Sequence, residues 1–320
     1  MRARPVSETG SANPEGQCRA RPVRGLAAAF AGCVVLCGCR QLDVLRPAGP
    51  VGAAEKTILL NSLAIMLVIV VPTIVAVLAF ACWFRAGNGK ARRLPDFVYS
   101  GRIEAITWSI PILVIMFLGG VSWIGSHDLD PYKSLPSAAR PVEIQAVSLD
   151  WKWLFIYPEL GIAAVNQLTV PVGVPLHFSL TSASVMNTFF VPRLGSMIYT
   201  MNGMSDQLNL QADQPGVYYG QSAMFSGDGF SDMHFAVEAV MPDRFDAWVQ
   251  SVRGTGPTLD QEAYSGLEQQ SVAASPSTYG AVEPGLYDRI VRQQIPPAPG
   301  SQNGSPSSAV SPRTEADNVR

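Results

Sequence analysis

TILLNSLAIMLVIVVPTIVAVLAFACWF, Thr57–Phe84, is a run of 28 residues without a charge, closed by Lys56 on one side and Arg85 on the other. A helix needs about 20 residues to cross the hydrocarbon core of a bilayer, so this run is long enough to span one. A second run, AITWSIPILVIMFLGGVSWIGS at Ala105–Ser126, supplies 22 more uncharged residues. Pro72 and Pro111 fall inside the two runs, where a local kink or a neighbouring helix can re-satisfy the freed carbonyls. Trp83, Trp108 and Trp123 stand near the ends, the usual depth of interfacial aromatics. The loop between the runs, residues 85–104, carries Arg85, Lys90, Arg92, Arg93 and Arg102 against Asp96 and Glu104. Basic loops stay in the cytoplasm. The reading is therefore a two-helix transmembrane hairpin with both outer ends, and everything after residue 127, outside.

Composition agrees with a membrane protein. Only 15% of the 320 residues are charged and 48% are hydrophobic, against about 25% charged in a soluble globule. The formal net charge of −2 gives no basic surface for phosphate, which argues against a nucleic-acid partner. The cysteines are Cys18, Cys33, Cys37, Cys39 and Cys82, with none from residue 83 onward. The C-terminal two thirds therefore has no disulfide, zinc-thiolate or blue-copper site, since each requires thiolates.

Upstream, a basic segment (Arg2, Arg4, Arg19, Arg21, Arg24) precedes an uncharged stretch from Gly25 to Cys39. That order reads as a secretory signal peptide over residues 1–38. Its ending, Leu36-Cys37-Gly38-Cys39, resembles the lipobox of bacterial lipoproteins. The resemblance implies a diacylglyceride on the sulfur of Cys39 and an outer N-terminal segment over 39–56. An ordinary signal peptide is the other reading.

From residue 140 to 253 the period changes to about two. Val142–Val147, Val174–Leu180, Gln207–Leu210 and Met233–Val240 alternate apolar and polar residues, with turns at Pro192–Gly195 and Gln214–Gly216 between them. Eight or nine short strands in this length predict a Greek-key sandwich or barrel. Asp243–Val249 predicts a short helix. Residues 254–295 read as a partly helical extension, and 296–320, rich in Pro, Ser and Gly, as a disordered tail.

A β-domain after a helical hairpin resembles subunit II of the haem-copper oxidases, and two segments make the likeness specific. In the cytochrome c oxidases of that family, a binuclear copper centre takes its ligands from an Asp-Val-x-His-x-Phe segment and a Cys-x-Glu-x-Cys-Gly-x-x-His-x-x-Met loop. Here Ser184–Phe189 keeps the Val and Phe but has Asn187 at the His position. Ser222–Met233 keeps the spacing with Ser222 and Ser226 at the two Cys, Met224 at the Glu and Phe230 at the second His; only Met233 remains. One thioether cannot hold soft, mixed-valence copper. Ligand positions emptied in this way are similar to the quinol-oxidase branch, cytochrome bo-type ubiquinol oxidase subunit II. Asp150–Glu159 (DWKWLFIYPE), Asn187–Ser196 (NTFFVPRLGS) and Gly227–Ser231 (GDGFS) resemble it too.

The resemblance implies a membrane α plus all-β architecture: the hairpin followed by a cupredoxin-like Greek-key β-sandwich in the periplasm, on the inner membrane of a bacterium. It implies a structural, non-redox subunit of a proton-pumping ubiquinol oxidase that reduces dioxygen to water. Its partners are then oxidase subunit I, further membrane subunits, membrane lipid and ubiquinol, with no role for cytochrome c. No cofactor is expected in this chain; the haems and copper belong to subunit I. Glu104 matches a carboxylate at the cytoplasmic mouth of a proton channel, while on the residues alone it is a helix-N-terminal Glu favoured by the macrodipole. Trp151 and Trp153 read as packing residues. Met197, Met201, Met204, Met224 and Met233 read as dispersed packing residues rather than a Cu(I) site, and His177 and His234 as strand residues without a second ligand. The alternative functions are a menaquinol oxidase subunit II and a membrane-anchored cupredoxin-like binding or assembly factor.

Overall fold

The computed structural model describes residues 43–92, 96–272 and 274–296, together with the backbone of 301–302 and 305–306. Cys39, the signal-peptide reading of 1–38 and most of the tail lie outside the described residues. Helix α1 runs over Pro50–Trp83 and α2 over Gly101–Asp128, both continuous through their internal prolines. α1 starts seven residues ahead of its uncharged run, because Pro50 suits the first helical turn and that turn is docked in protein rather than lipid. At its other end, the Asn88 side-chain amide donates to the Trp83 carbonyl at 2.6 Å, satisfying a terminal acceptor. Partly buried stripes face one another across the hairpin: Ala54, Ile58, Ser62, Ile65 and Ile69 on α1, Val114, Leu118, Val121, Gly125 and Leu129 from α2. Steps of three and four place each stripe on one helix face.

The outer domain is a sandwich of two sheets. Its strands are β1 (Val142–Leu149), β2 (Lys152–Tyr157), β3 (Ile162–Val165), β4 (Gln167–Pro171), β5 (Pro175–Ser182), β6 (Asn187–Phe190), β7 (Met197–Thr200), β8 (Asp206–Gln211), β9 (Gly216–Ser222) and β10 (His234–Val240). After helix α3 (Pro242–Thr255) come β11 (Thr258–Leu259), α4 (Gln261–Glu268), β12 (Ser277–Tyr279), β13 (Ala281–Val282) and α5 (Leu286–Val291). One sheet has the order β12-β3-β2-β1-β5-β8 and the other β4-β10-β9-β6-β7. Within these two sheets β1 with β5 and β4 with β10 are parallel and the other pairs are antiparallel, the connectivity of a cupredoxin-like Greek key.

Residues 140–253 supply ten strands where the alternation suggested eight or nine, and β12 of the extension joins the sandwich as one more. The extra strand within 140–253 arises because residues 162–171 cross from one sheet to the other at Asn166, whose φ of 53° lies in the left-handed region that Asn tolerates better than a β-branched residue. There Asn166 N–H donates to the Trp153 carbonyl, and its Oδ1 accepts from Trp153 N–H, both at 2.8 Å. Its Nδ2 donates to the Ala274 carbonyl. Asn166→Ala should cost about 2 kcal/mol by leaving a buried N–H unpaired, seen as a lower denaturation midpoint.

Trp153, Phe155, Phe178, Phe189 and Phe235 fill the space between the sheets, with Phe189 and Phe235 5.3 Å apart and Trp153 edge-on to Phe189 at 5.5 Å. Alternate residues of the same strands face the other way. Leu154 and Ile156 of β2, with Val147 and Leu149 of β1, meet Leu259, Tyr264, Leu286, Tyr287 and Ile290 of the C-terminal extension. A strand buried on both faces carries no polar alternation, which explains why β2 reads as continuously apolar after Lys152. The extension also lends β12 to the edge of β3.

Sandwich and hairpin meet through backbone. Ala48 N–H donates to the Arg193 carbonyl at 2.7 Å, Gly52 N–H to Leu194 at 2.9 Å, and Asp213 N–H to the Ala48 carbonyl at 2.7 Å. Glu55 Oε1 accepts from both the N–H and the hydroxyl of Ser196. At Gly49 itself no side chain fits: a Cβ there would stand 2.0 Å from the Gln211 carbonyl oxygen.

Candidate functional site

The positions that would carry copper ligands converge at one end of the sandwich, on the start of β6, the end of β9 and the β9–β10 loop. That loop includes a single 3-10 turn, Phe230–Asp232. The Ser222 hydroxyl donates to Asn187 Oδ1 at 3.1 Å and lies 3.3 Å from the Met224 carbonyl. Asn187 Nδ2 donates to the Val185 carbonyl. Deeper in the loop the Ser226 hydroxyl donates to the Met233 thioether at 3.9 Å, and Ser222 N–H to the Met233 carbonyl at 3.1 Å. Phe230 packs edge-on against exposed Phe225, with centroids 5.6 Å apart. Asn187, Ser222, Ser226 and Met233 are all buried.

Trp151 closes this end. Its φ of 62° turns β1 into β2, its Nε1 donates to the Ser226 carbonyl at 3.1 Å, and its ring leaves room only for hydrogen at Gly229, where a Cβ would lie 2.4 Å from the indole.

The donor set does not fit binuclear copper. An amide, two hydroxyls, a phenyl ring and one thioether replace the thiolates and imidazoles that soft copper needs, and the polar atoms are spent on each other. Among the described residues, no group of three or more His, Cys, Asp or Glu side chains is gathered for a metal. His177 shares a 2.9 Å hydrogen bond with Asn209; His234 is exposed and stacked on Tyr219. Met197 and Met204 are half exposed, whereas Met233 is buried.

Glu104 is not part of this constellation. It lies exposed in the first turn of α2, about 36 Å of helix from Asp128 at 1.5 Å per residue.

A second polar constellation escaped sequence reading. Asp150 and Lys152 flank Trp151, and both are buried beneath the C-terminal extension. Lys152 Nζ donates to the Gln269 carbonyl and the Ser271 hydroxyl, each at 2.6 Å. Asp150 accepts from the Ser184 hydroxyl and from Gln270 Nε2. Buried Glu268, one turn after Tyr264 in α4, completes the group. Burial holds the Lys152 ammonium below its ordinary pKa, opposed by the charge of Asp150. Burial raises the Glu268 carboxyl to about 7; the Tyr264 hydroxyl opposes the rise and Asp150 adds to it. The available signal was a pair of charged residues inside a segment otherwise apolar enough to be buried.

A carboxyl raised in the folded state binds its proton more tightly there than when released. Docking of the extension is therefore strongest below the ordinary carboxylate value and weakens as pH rises through about 7. Amide exchange in 258–291, corrected for intrinsic pH effects, should show more protection at pH 5 than at pH 8. Glu268→Gln should remove the difference.

Residues 159–240 match the family described as cytochrome c oxidase subunit II, periplasmic domain, and residues 253–298 match the COX aromatic rich motif. The periplasmic domain of subunit II of cytochrome oxidase from Bradyrhizobium japonicum is 25% identical, covering 36% of this chain and 94% of that one, with a TM-score of 0.34. Hairpin and sandwich define a second subunit of the haem-copper oxidase class, and of the positions matched by resemblance to copper ligands only Met233 carries a side chain suited to copper. Ubiquinol oxidase subunit 2 of Acetobacter aceti is 49% identical over 261 residues, 81% of this chain and 84% of that protein. Cytochrome bo(3) ubiquinol oxidase subunit 2 of Pseudomonas aeruginosa is 45% identical over 258 residues, 81% and 78%. The chain belongs to the ubiquinol oxidase subunit 2 family.

Proposed function

We propose that this chain is the non-redox second subunit of a proton-pumping terminal ubiquinol oxidase, seated on a partner that carries the haems and copper and reduces dioxygen to water. The pairing of Asn187 with Ser222 and of Ser226 with Met233 carries the reading. An outer copper relay serves a water-soluble electron donor, whereas a quinol dissolves in the bilayer and reaches the partner from the side. The outer domain is then scaffolding, held to the membrane by the backbone contacts at Gly49 and Gly52.

In this reading the chain sits in a bacterial inner membrane with the loop between α1 and α2 in the cytoplasm and the sandwich in the periplasm. The sandwich joins α1 near its N-terminus and follows the C-terminus of α2, as that hairpin requires. Cys39 carries the lipid anchor. Glu104, at the cytoplasmic end of α2, admits protons to the partner's channel; a carboxylate at that depth can gather protons from the aqueous side.

The purified complex should oxidise ubiquinol with dioxygen and leave reduced cytochrome c untouched. Turnover of cytochrome c at a rate comparable with ubiquinol would refute the non-redox reading.

A further inference from the structure

We propose that the outer end of the hairpin holds one phospholipid with an ammonium-bearing headgroup, seated between α1 and α2 with its head against the linker below the sandwich. The site consists of two adjoining cavities. The lower, of about 470 Å³, is walled by Ala54 and Ile58 of α1 and by Val121, Ile124 and Gly125 of α2, with Asn61 at its floor. The upper, of about 270 Å³, lies between α1 and the segment after α2, and includes Asp130, Lys133, Ser196 and Asn209. Asp128 and Leu129 line both, so the two meet.

Gly125 brings the two helices together beside the groove. A Cβ there would lie 2.7 Å from Ile58 Cδ1, so a larger residue at this position would push against the α1 wall. From Ala54 to Asn61 the groove descends about 10 Å along α1, below the level of Lys56 and into the apolar run. A groove lined mainly by apolar residues at this depth has no water to fill it, and it takes the upper part of an acyl chain while the rest continues into the bilayer.

The charges at the mouth choose the headgroup. Asp128 and Asp130 are both exposed there, and Asp128 ends α2, where the helix macrodipole places a partial negative charge. Together they favour a cation. Lys133 lies 3.9 Å from Asp128 and offers a single positive charge for a phosphate. Two carboxylates to one ammonium match a headgroup with both a phosphate and an ammonium, and disfavour one that is only anionic. The proposal uses the membrane orientation above and stands independently of the redox chemistry of the complex.

The purified complex, placed in nanodiscs of equal phosphatidylethanolamine and phosphatidylglycerol and returned to mild detergent, is examined by native mass spectrometry. The wild type should retain one phosphatidylethanolamine more than either Ala54→Phe or Val121→Phe, each of which fills the groove from a different helix. Unchanged haem content marks the variants that assemble. The Asp128→Asn, Asp130→Asn double variant should lose the preference for phosphatidylethanolamine over phosphatidylglycerol. Equal lipid counts in wild type and an assembled groove variant overturn the proposal, as does retained phosphatidylglycerol or quinone in the wild type.

Discussion

Gly49→Val should loosen the sandwich from the membrane helix, lowering the thermal midpoint of the outer domain by about 6–12 °C. The Cβ would stand 2.0 Å from the Gln211 carbonyl oxygen, far inside van der Waals contact, and the obstacle is backbone that cannot rotate aside. Relief requires the N-terminus of α1 to withdraw. Withdrawal breaks the hydrogen bonds from Ala48 to Arg193, from Gly52 to Leu194 and from Asp213 to Ala48. At about 1 kcal/mol for each bond the loss is about 3 kcal/mol, and each kcal/mol moves the midpoint of a domain this size by about 2–4 °C. The domain remains tethered by the linker, where the Asn209 N–H and side-chain amide both donate to the Pro131 carbonyl. The expected variant is therefore membrane-bound and cleavable by protease within residues 43–52. Gly87→Ala is the control, since a Cβ there meets nothing within 4 Å. An unshifted midpoint with residues 43–52 still protected would show that the junction is not held by this contact.

Lys152→Met should release the C-terminal extension while leaving the sandwich core folded. The ammonium makes two short hydrogen bonds to the segment after α4, and bonds to a charged group contribute about 1.5–3 kcal/mol each. Met keeps the apolar stem in place, so core packing between the sheets is undisturbed. It leaves the Gln269 carbonyl without its Lys152 donor and Asp150 without its nearby positive charge. A loss of about 3 kcal/mol corresponds to roughly a hundredfold faster amide exchange in 258–291. Protection in β5, β9 and β10 should not change. Equal loss across the sandwich would mean that the extension and the core unfold as one unit.

These two expectations lie on features that differ in how visible they are along the chain. The hairpin was legible because hydrocarbon imposes a rule on composition alone: 20 or so consecutive apolar residues must be helical. The strands were legible where one face meets solvent, as in His234–Val240, whose burial alternates. They were less so where both faces are covered. β2 is buried along its whole length because the extension, more than a hundred residues downstream, lies on its outer face. Asn166 hid a change of sheet inside an unbroken stretch, since a single left-handed residue leaves no periodicity to detect.

The positions of the lost ligands were implied by the resemblance to subunit II of the haem-copper oxidases, and the residue types standing there, Asn187, Ser222, Ser226 and Phe230, can be read directly. How the vacated positions are filled was a matter of three-dimensional contact. Asn187 and Ser222 are 35 residues apart and bond only because β6 pairs with β9. The same holds for Lys152 with Ser271 and for Glu55 with Ser196. Local sequence thus decided which segments enter the bilayer, which form strands and which chemistry is ruled out, since these depend on side-chain composition and short-range periodicity. Only the folded chain decided which polar groups share a buried partner and where two backbones touch, because those contacts join residues that the chain itself keeps far apart.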